Sequence, residues 1–222
     1  MMPPRLAVFD VDGTLVDSQH NIIAAMTEAF RVHDLGTPRP EDVRSIIGLS
    51  LVEAVAALLP DAEPERHIKV ARTYGDAFGV LRQRPDHSEP LFPGAVEALD
   101  ALSAAGLRLG IATGKSRRGL RVMLDRTGLR DRFVTLQTAD DGPGKPHPAM
   151  LVAAMAEAGV APEHTAMIGD ATFDMIMARA AGARAIGVGW GYHAAADLEQ
   201  AGAETVVTGF GDLLPAVLRL IP

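Results

Sequence analysis

Short apolar, β-branched runs alternate along this chain with longer stretches in which apolar residues recur every three or four positions. The runs Leu6–Phe9, Leu107–Ala112, Phe133–Leu136, Thr165–Ile168, Arg184–Val188 and Thr205–Val207 read as strands. Helical patterns fall at about 94–105, 116–127, 147–159, 172–181, 194–201 and 211–220. Gly106, Gly128, Gly159, Gly182 and Gly202 stand where those helices should stop. Strand–helix–strand repetition of this kind predicts an α/β fold, a parallel sheet wound on both faces. One interval breaks the rhythm. After the first strand no second strand is readable until Leu107, and helices are expected instead at about 18–33, 40–47, 50–59 and 63–82, with Ser18 and Ser50 as N-caps. The stretch Arg84–Pro93 carries three prolines and suits a linker. The pattern therefore predicts a four-helix insertion, residues 17–86, in a core made of residues 1–16 and 87–222.

Composition narrows the classes. The chain has 222 residues, 48% hydrophobic and 22% charged, enough for a core without metal or disulfide staples. It has no cysteine, which excludes a disulfide scaffold, a thiolate metal site and a thiol nucleophile. A net charge of −7 argues against nucleic acid or an anionic membrane as partner. No run approaches the roughly 20 apolar residues of a membrane span, and only four apolar residues follow Met1-Met2-Pro3-Pro4-Arg5, so the expectation is a cytoplasmic protein. A monomer is the default, with the helical insertion as the face a dimer would use.

The polar residues that interrupt the pattern fall at the carboxyl ends of the predicted strands, where open parallel sheets bind ligands. The first strand runs into Asp10-Val11-Asp12-Gly13-Thr14-Leu15, two carboxylates at i, i+2 followed by a turn-permitting glycine. An EF-hand would need Asp or Asn at Thr14 and Gly at Leu15, so that reading fails. The second strand ends in Thr113-Gly114-Lys115-Ser116. A phosphate loop would need a glycine where Leu109 stands, which leaves a hydroxyl and free backbone N–H groups at a helix start. Lys145, held in Gly144-Lys145-Pro146-His147-Pro148, is a pre-positioned positive charge, with His147 a helix-start residue. Asp170 follows the strand at 165–168, and Asp174 stands one helical turn on. All four elements converge on one crevice.

These segments resemble, in order, the four motifs of the haloacid dehalogenase superfamily of aspartate-nucleophile hydrolases. They are Asp10-Val11-Asp12-Gly13-Thr14-Leu15-Val16-Asp17-Ser18, Thr113-Gly114, Gly144-Lys145-Pro146-His147-Pro148, and Gly169-Asp170 with Asp174. Gly187-Val188-Gly189-Trp190-Gly191-Tyr192 is similar to a glycine-rich loop of the phosphoglycolate-phosphatase-like branch. The resemblance implies a Rossmann-like core with the insertion as its cap. Many relatives have asparagine where this chain has Gly114. Dehalogenation does not fit, because family dehalogenases lack an acid at the position of Asp12.

The resemblance implies hydrolysis of a small phosphate monoester, with phosphoglycolate the first guess, through an aspartyl-phosphate. Asp10 is then the nucleophile and Asp12 the general acid and base. Mg²⁺, suited to an all-oxygen set, would be held by Asp10, the main-chain carbonyl of Asp12 and Asp170. Thr113, Gly114 and Lys145 would bind the phosphoryl oxygens, and Asp174 would orient a metal-bound water or Lys145. Four carboxylates against Lys145 and a divalent ion leave a net negative charge, so one carboxyl should keep its proton, and Asp12 is the expected one. In the cap, Arg44 and the turn Ile46–Ser50 are the expected substrate-facing elements, with hinges at Val16–Ser18 and Arg84–Glu89. Arg117, Arg118 and Arg121 read as a solvated face. Three alternatives stand beside this reading: a phosphosugar mutase of the same fold, phosphonate chemistry through Lys69, and a non-catalytic phosphate-binding module. Lys69 reads more simply as an ion pair with Glu65.

Overall fold

The structure, a computed structural model, describes residues 3–221. Met1 and Met2, where the sequence is read for a leader, and Pro222, the last residue of the expected core domain, lie outside the described residues. Six strands form one parallel sheet: β1 (Arg5–Phe9), β2 (Leu107–Thr113), β3 (Thr135–Thr138), β4 (Thr165–Gly169), β5 (Arg184–Val188) and β6 (Thr205–Val207). Their order is β3-β2-β1-β4-β5-β6, so the first strand is central and the chain winds outward from it in both directions.

Burial explains why β1 takes the centre. Leu6, Ala7, Val8 and Phe9 are all wholly inaccessible, and successive side chains go to opposite faces. Ala7 and Phe9 pack in one apolar layer with α5 (Ala95–Ala104), α6 (Arg117–Thr127) and α10 (Leu213–Leu220). Leu6 and Val8 pack in the other with α7 (Ala149–Ala158), α8 (Thr172–Ala180) and α9 (Ala195–Ala201). Gly128, Gly159 and Gly202 close α6, α7 and α9 in the left-handed conformation that glycine adopts most easily.

Two local expectations shift. The third strand begins at Thr135, not Phe133, because Phe133 turns into the core after a 3₁₀ turn at Arg130–Arg132. Ser18 and Ser50 stand at N-cap positions but their hydroxyls do not cap, since Ser18 turns to Asp12 and Ser50 to Glu53.

Between β1 and α5 lie α1 (Gln19–Val32), α2 (Pro40–Ser45), α3 (Leu51–Leu58) and α4 (Pro64–Leu81). They enclose an apolar cluster of their own, including Met26, Phe30, Val43, Val55, Val70 and Phe78. The two chain crossings that join them to the sheet run side by side. Val16 bridges Leu91, Asp17 N–H donates to the Pro90 carbonyl (2.9 Å), and Phe92 N–H donates to the Leu15 carbonyl (2.9 Å). Among the described residues no helix is long and apolar enough to cross a membrane.

Candidate active site

The sheet gathers its acids at one end. Asp10 directly follows β1, and its N–H still donates to the Ile168 carbonyl of β4 (2.9 Å), so its side chain leaves at the carboxyl edge of the two central strands. Asp170 directly follows β4, and Asp174 sits in the first turn of α8. Lys145 comes from the loop before α7 and is wholly buried. Its ammonium lies 2.9 Å from Asp10 Oδ1 and 2.6 Å from Asp174 Oδ1. The other Asp174 oxygen accepts from the Ala171 N–H (3.1 Å), which fixes the carboxylate against Lys145.

Asp170 accepts from the Thr14 hydroxyl (2.8 Å) and the Tyr192 N–H (2.9 Å). Gly13 turns the loop beneath it at φ +86°, and a side chain there would run into the Asp170 carboxylate. Trp190 Nε1–H donates to the Thr14 carbonyl (3.0 Å), and the Tyr192 hydroxyl takes the N–H groups of Ser18 and Gln19 (3.0 and 3.1 Å). The glycine-rich loop 187–192 thus braces both the loop after β1 and the start of α1.

Carboxylate oxygens of Asp10, Asp170 and Asp174 all lie within 4.8 Å of one another. Asp10 Oδ2 is buried with no hydrogen-bond partner among the described residues. Three buried carboxylates, one lysine and an orphaned oxygen fit a hard divalent cation, so the cluster can hold a metal ion. Without one, burial pushes the Asp10 carboxyl up to about 7, with Lys145 pulling it back and Asp174 adding to the rise. Asp170 is raised well above the usual carboxylate range by burial and then by Asp10 and Asp174.

Asp12 differs. Burial works to raise its carboxyl, but Lys115 Nζ at 2.6 Å and the Ser18 hydroxyl at 2.6 Å override this and hold it below the usual range. The expectation that Asp12 keeps its proton is therefore corrected. The charge count behind it left out Lys115, a residue set aside with the rejected phosphate loop. Lys115 also meets Glu89 (3.3 Å), which lies in the linker and pairs further with His87 (3.1 Å) and Arg82 (3.8 Å). No local pattern flags Lys115 or Glu89. The signal available was a lysine one residue after Thr113-Gly114 in a chain with only three.

Thr113 ends β2, is buried, and accepts from the Lys115 N–H (3.3 Å), while Ser116 caps α6 by accepting from Gly119 N–H (3.2 Å). Asp10, Asp12, Thr113 and Gly114 line a cavity of about 340 Å³ that runs between the sheet edge and the helical unit. The turn Ile46–Ser50 lines its far side. Arg44 does not line it and instead donates to Gln19 Oε1 (2.8 Å).

Comparison with known proteins shows the class to which this fold belongs. The model of the haloacid dehalogenase-like hydrolases matches residues 7–188. A protein of Dickeya dadantii named "Probable phosphatase IndB" is 37% identical, with 97% of this chain and 94% of that one covered. A phosphoglycolate phosphatase of Chromobacterium violaceum is 35% identical, with 94% of each covered. The crystal structure of a hydrolase from Pseudomonas syringae superposes with a TM-score of 0.84 at 27% identity, covering 98% of this chain and all of that one. The chain belongs to the haloacid dehalogenase-like hydrolases, and within them it is a phosphatase.

Proposed function

We propose that the chain hydrolyses small phosphate monoesters with Mg²⁺ through an aspartyl-phosphate on Asp10. The observation that carries this reading is the Asp10 carboxylate, buried at the head of the cavity with one oxygen paired to Lys145 and the other without a partner. Asp10, Asp170 and the main-chain carbonyl of Asp12 would hold the ion, which would supply positive charge against the phosphate when bound. Asp174 keeps Lys145 in place.

Asp10 attacks phosphorus, the bond to the ester oxygen breaks, and that oxygen leaves with a proton from Asp12. Asp12 is ionised at rest, and the phosphate dianion arriving beside it raises its proton affinity, so that it takes up a proton from solvent before the cavity closes and passes it to the leaving oxygen. In the second half Asp12 takes a proton from water, which attacks the aspartyl-phosphate and frees Asp10. Thr113, the Gly114 N–H and Lys145 receive the phosphoryl oxygens. Residues 17–86 act as a cap that closes over the cavity and excludes water during the first half, hinged where the two crossings pair.

The test is inorganic phosphate release from a panel of esters, phosphoglycolate among them, with and without Mg²⁺. Turnover is expected to need both Mg²⁺ and Asp10. A folded Asp10→Asn protein with near-normal activity would refute the reading.

A further inference from the structure

Among the described residues Lys115 and Arg82 are the cations that line the cavity, and they are held differently. Lys115 is spent, since its ammonium meets Asp12 at 2.6 Å and Glu89 at 3.3 Å. Arg82, at the end of α4, is not. Its side chain donates no hydrogen bond among the described residues, and its Nε is buried without a partner. Glu89, its ion-pair partner, stands at 3.8 Å, beyond hydrogen-bond reach. The Glu89 oxygens are already taken, one by Lys115 and the other by His87 at 3.1 Å. Asp140 at the rim accepts from the Arg117 N–H (2.8 Å). Arg44, the arginine expected to face substrate, is engaged with Gln19 instead. A buried guanidinium with idle donors is a costly arrangement that a ligand would relieve.

The guanidinium is also set in its plane. It lies 4.5 Å over the Phe78 ring, so the ring covers one face and leaves the in-plane N–H groups as the free ones. The same ring lies 5.7 Å from Lys115 Nζ, so Arg82 stands one aromatic ring away from the lysine that holds Asp12. Asp10 and Asp12 line the same cavity, so a group leaving from a phosphate on Asp10 departs into the space that Arg82 borders. The walls there, Ile22, Met26, Ile47 and Phe78, are apolar and offer an anion nothing. An anion buried among them is strongly unfavourable unless paired. Arg82 supplies the pairing, a forked cation that matches carboxylate and phosphate oxygens.

We infer that Arg82 is the specificity-determining residue of the cavity. It receives a negatively charged end of the leaving group, so the preferred substrates are phosphate monoesters whose alcohol carries a second anionic group, carboxylate or phosphate. This rests on the phosphatase reading above and names the residue that chooses among esters at the same site. A cavity of about 340 Å³ is at the small end of ligand sites, which run from about 300 to 1,000 Å³, so the leaving group is compact.

The experiment measures initial-rate kcat/KM of the full chain in Mg²⁺ for 3-phosphooxypropanoate, propane-1,3-diyl bisphosphate and 3-methylbutyl phosphate, the last having the shape of the first without its second charge. The better acidic ester should exceed the alkyl ester by about 10- to 100-fold, the worth of hydrogen bonds to a charged group. Which acidic ester leads tells a carboxylate terminus from a phosphate one. Arg82→Met should lower the acidic-to-alkyl ratio by the same factor, and Arg82→Lys, which keeps the charge without the fork, should recover part of it. If Arg82 only braces the linker, Arg82→Met lowers all three esters alike and the ratio stays. That result, or a wild-type ratio below about twofold, overturns the inference while leaving the phosphatase reading intact. If Arg82→Met does not fold, Arg82→Gln is read by the same criterion. No turnover of any ester would remove the phosphatase reading and this inference with it.

Discussion

At Gly114 the helical unit proposed as a cap comes close against the end of β2, and replacing this glycine tests whether that contact matters for turnover. A Cβ built on Gly114 would lie 2.7 Å from the Gly48 carbonyl oxygen and closer still to that of Leu49. Both are backbone atoms of a turn held at φ +107° by Gly48, so no side chain can swing aside. The turn itself must retreat. Overpacking of this kind costs about 1–3 kcal/mol, or roughly five- to 150-fold in the population of the seated state. The chain can relieve the overlap by lifting the cap, so the loss should fall on closure and not on folding. Gly114→Ala is expected to lower kcat/KM by that factor while its thermal midpoint stays near wild type. Gly79→Ala is the control, since a Cβ there meets nothing within 4 Å and leaves the cavity untouched. Steady-state phosphate release and a thermal melt on the three proteins decide the matter. Gly114→Ala turnover within twofold of wild type would refute the view that this seat is used.

Two further predictions concern the charge cluster. Lys145→Met leaves Asp10 and Asp174 without their shared cation and should cost the metal-free protein about 3 kcal/mol, read as a lower urea midpoint along with loss of turnover; an unchanged midpoint would contradict the pairing. With the Asp10 carboxyl raised to about 7 from an ordinary 3.8, the folded metal-free protein binds the extra proton, so its stability is fully present below about pH 4 and is lost as pH rises toward 7. Melts in EDTA should fall from pH 5 to pH 7.5, Mg²⁺ should recover more at the upper end, and a rise across that window in EDTA would sink the assignment.

What the sequence made legible was local. The apolar runs located the inner strands because β1, β2, β4 and β5 are largely buried on both faces, and Gly128, Gly159 and Gly202 marked helix ends because the left-handed turn favours glycine. The four motif segments were readable because each acid or lysine follows a strand or opens a helix. The polar shell around Asp12 was not. Lys115 stands 103 positions from Asp12 and Glu89 comes from a proline-rich linker, so their meeting depends on how the crossings pair. Ser18 was legible as a helix start, yet its hydroxyl donates to the buried Asp12 carboxylate, a charge-assisted hydrogen bond stronger than a neutral cap. Edge strand β3 shifted by two residues because Phe133 gains more in the core than in the ladder.

The two lysines divide the four aspartates unequally, and that division separates the roles of Asp10 and Asp12. Around Asp12, Lys115 and Arg82 stand against Asp12 and Glu89, so charge is balanced by the protein alone and the carboxylate is ionised as folded. Around Asp10, one lysine stands against Asp10, Asp170 and Asp174, so charge is not balanced and protons fill the deficit. Under the proposed mechanism Asp10 therefore needs a second positive charge to be a nucleophile at neutral pH, while Asp12 needs none to be a base. The same imbalance accounts for Lys145 and Lys115 not being interchangeable. One is wholly buried beside Asp10 and Asp174, where it lowers the cost of several negatives. The other borders the cavity and ties Asp12 to the linker through Glu89. Loss of Lys145 is thus a loss of charge in the carboxylate cluster, whereas loss of Lys115 frees Asp12 to hold a proton and removes its tie to the linker.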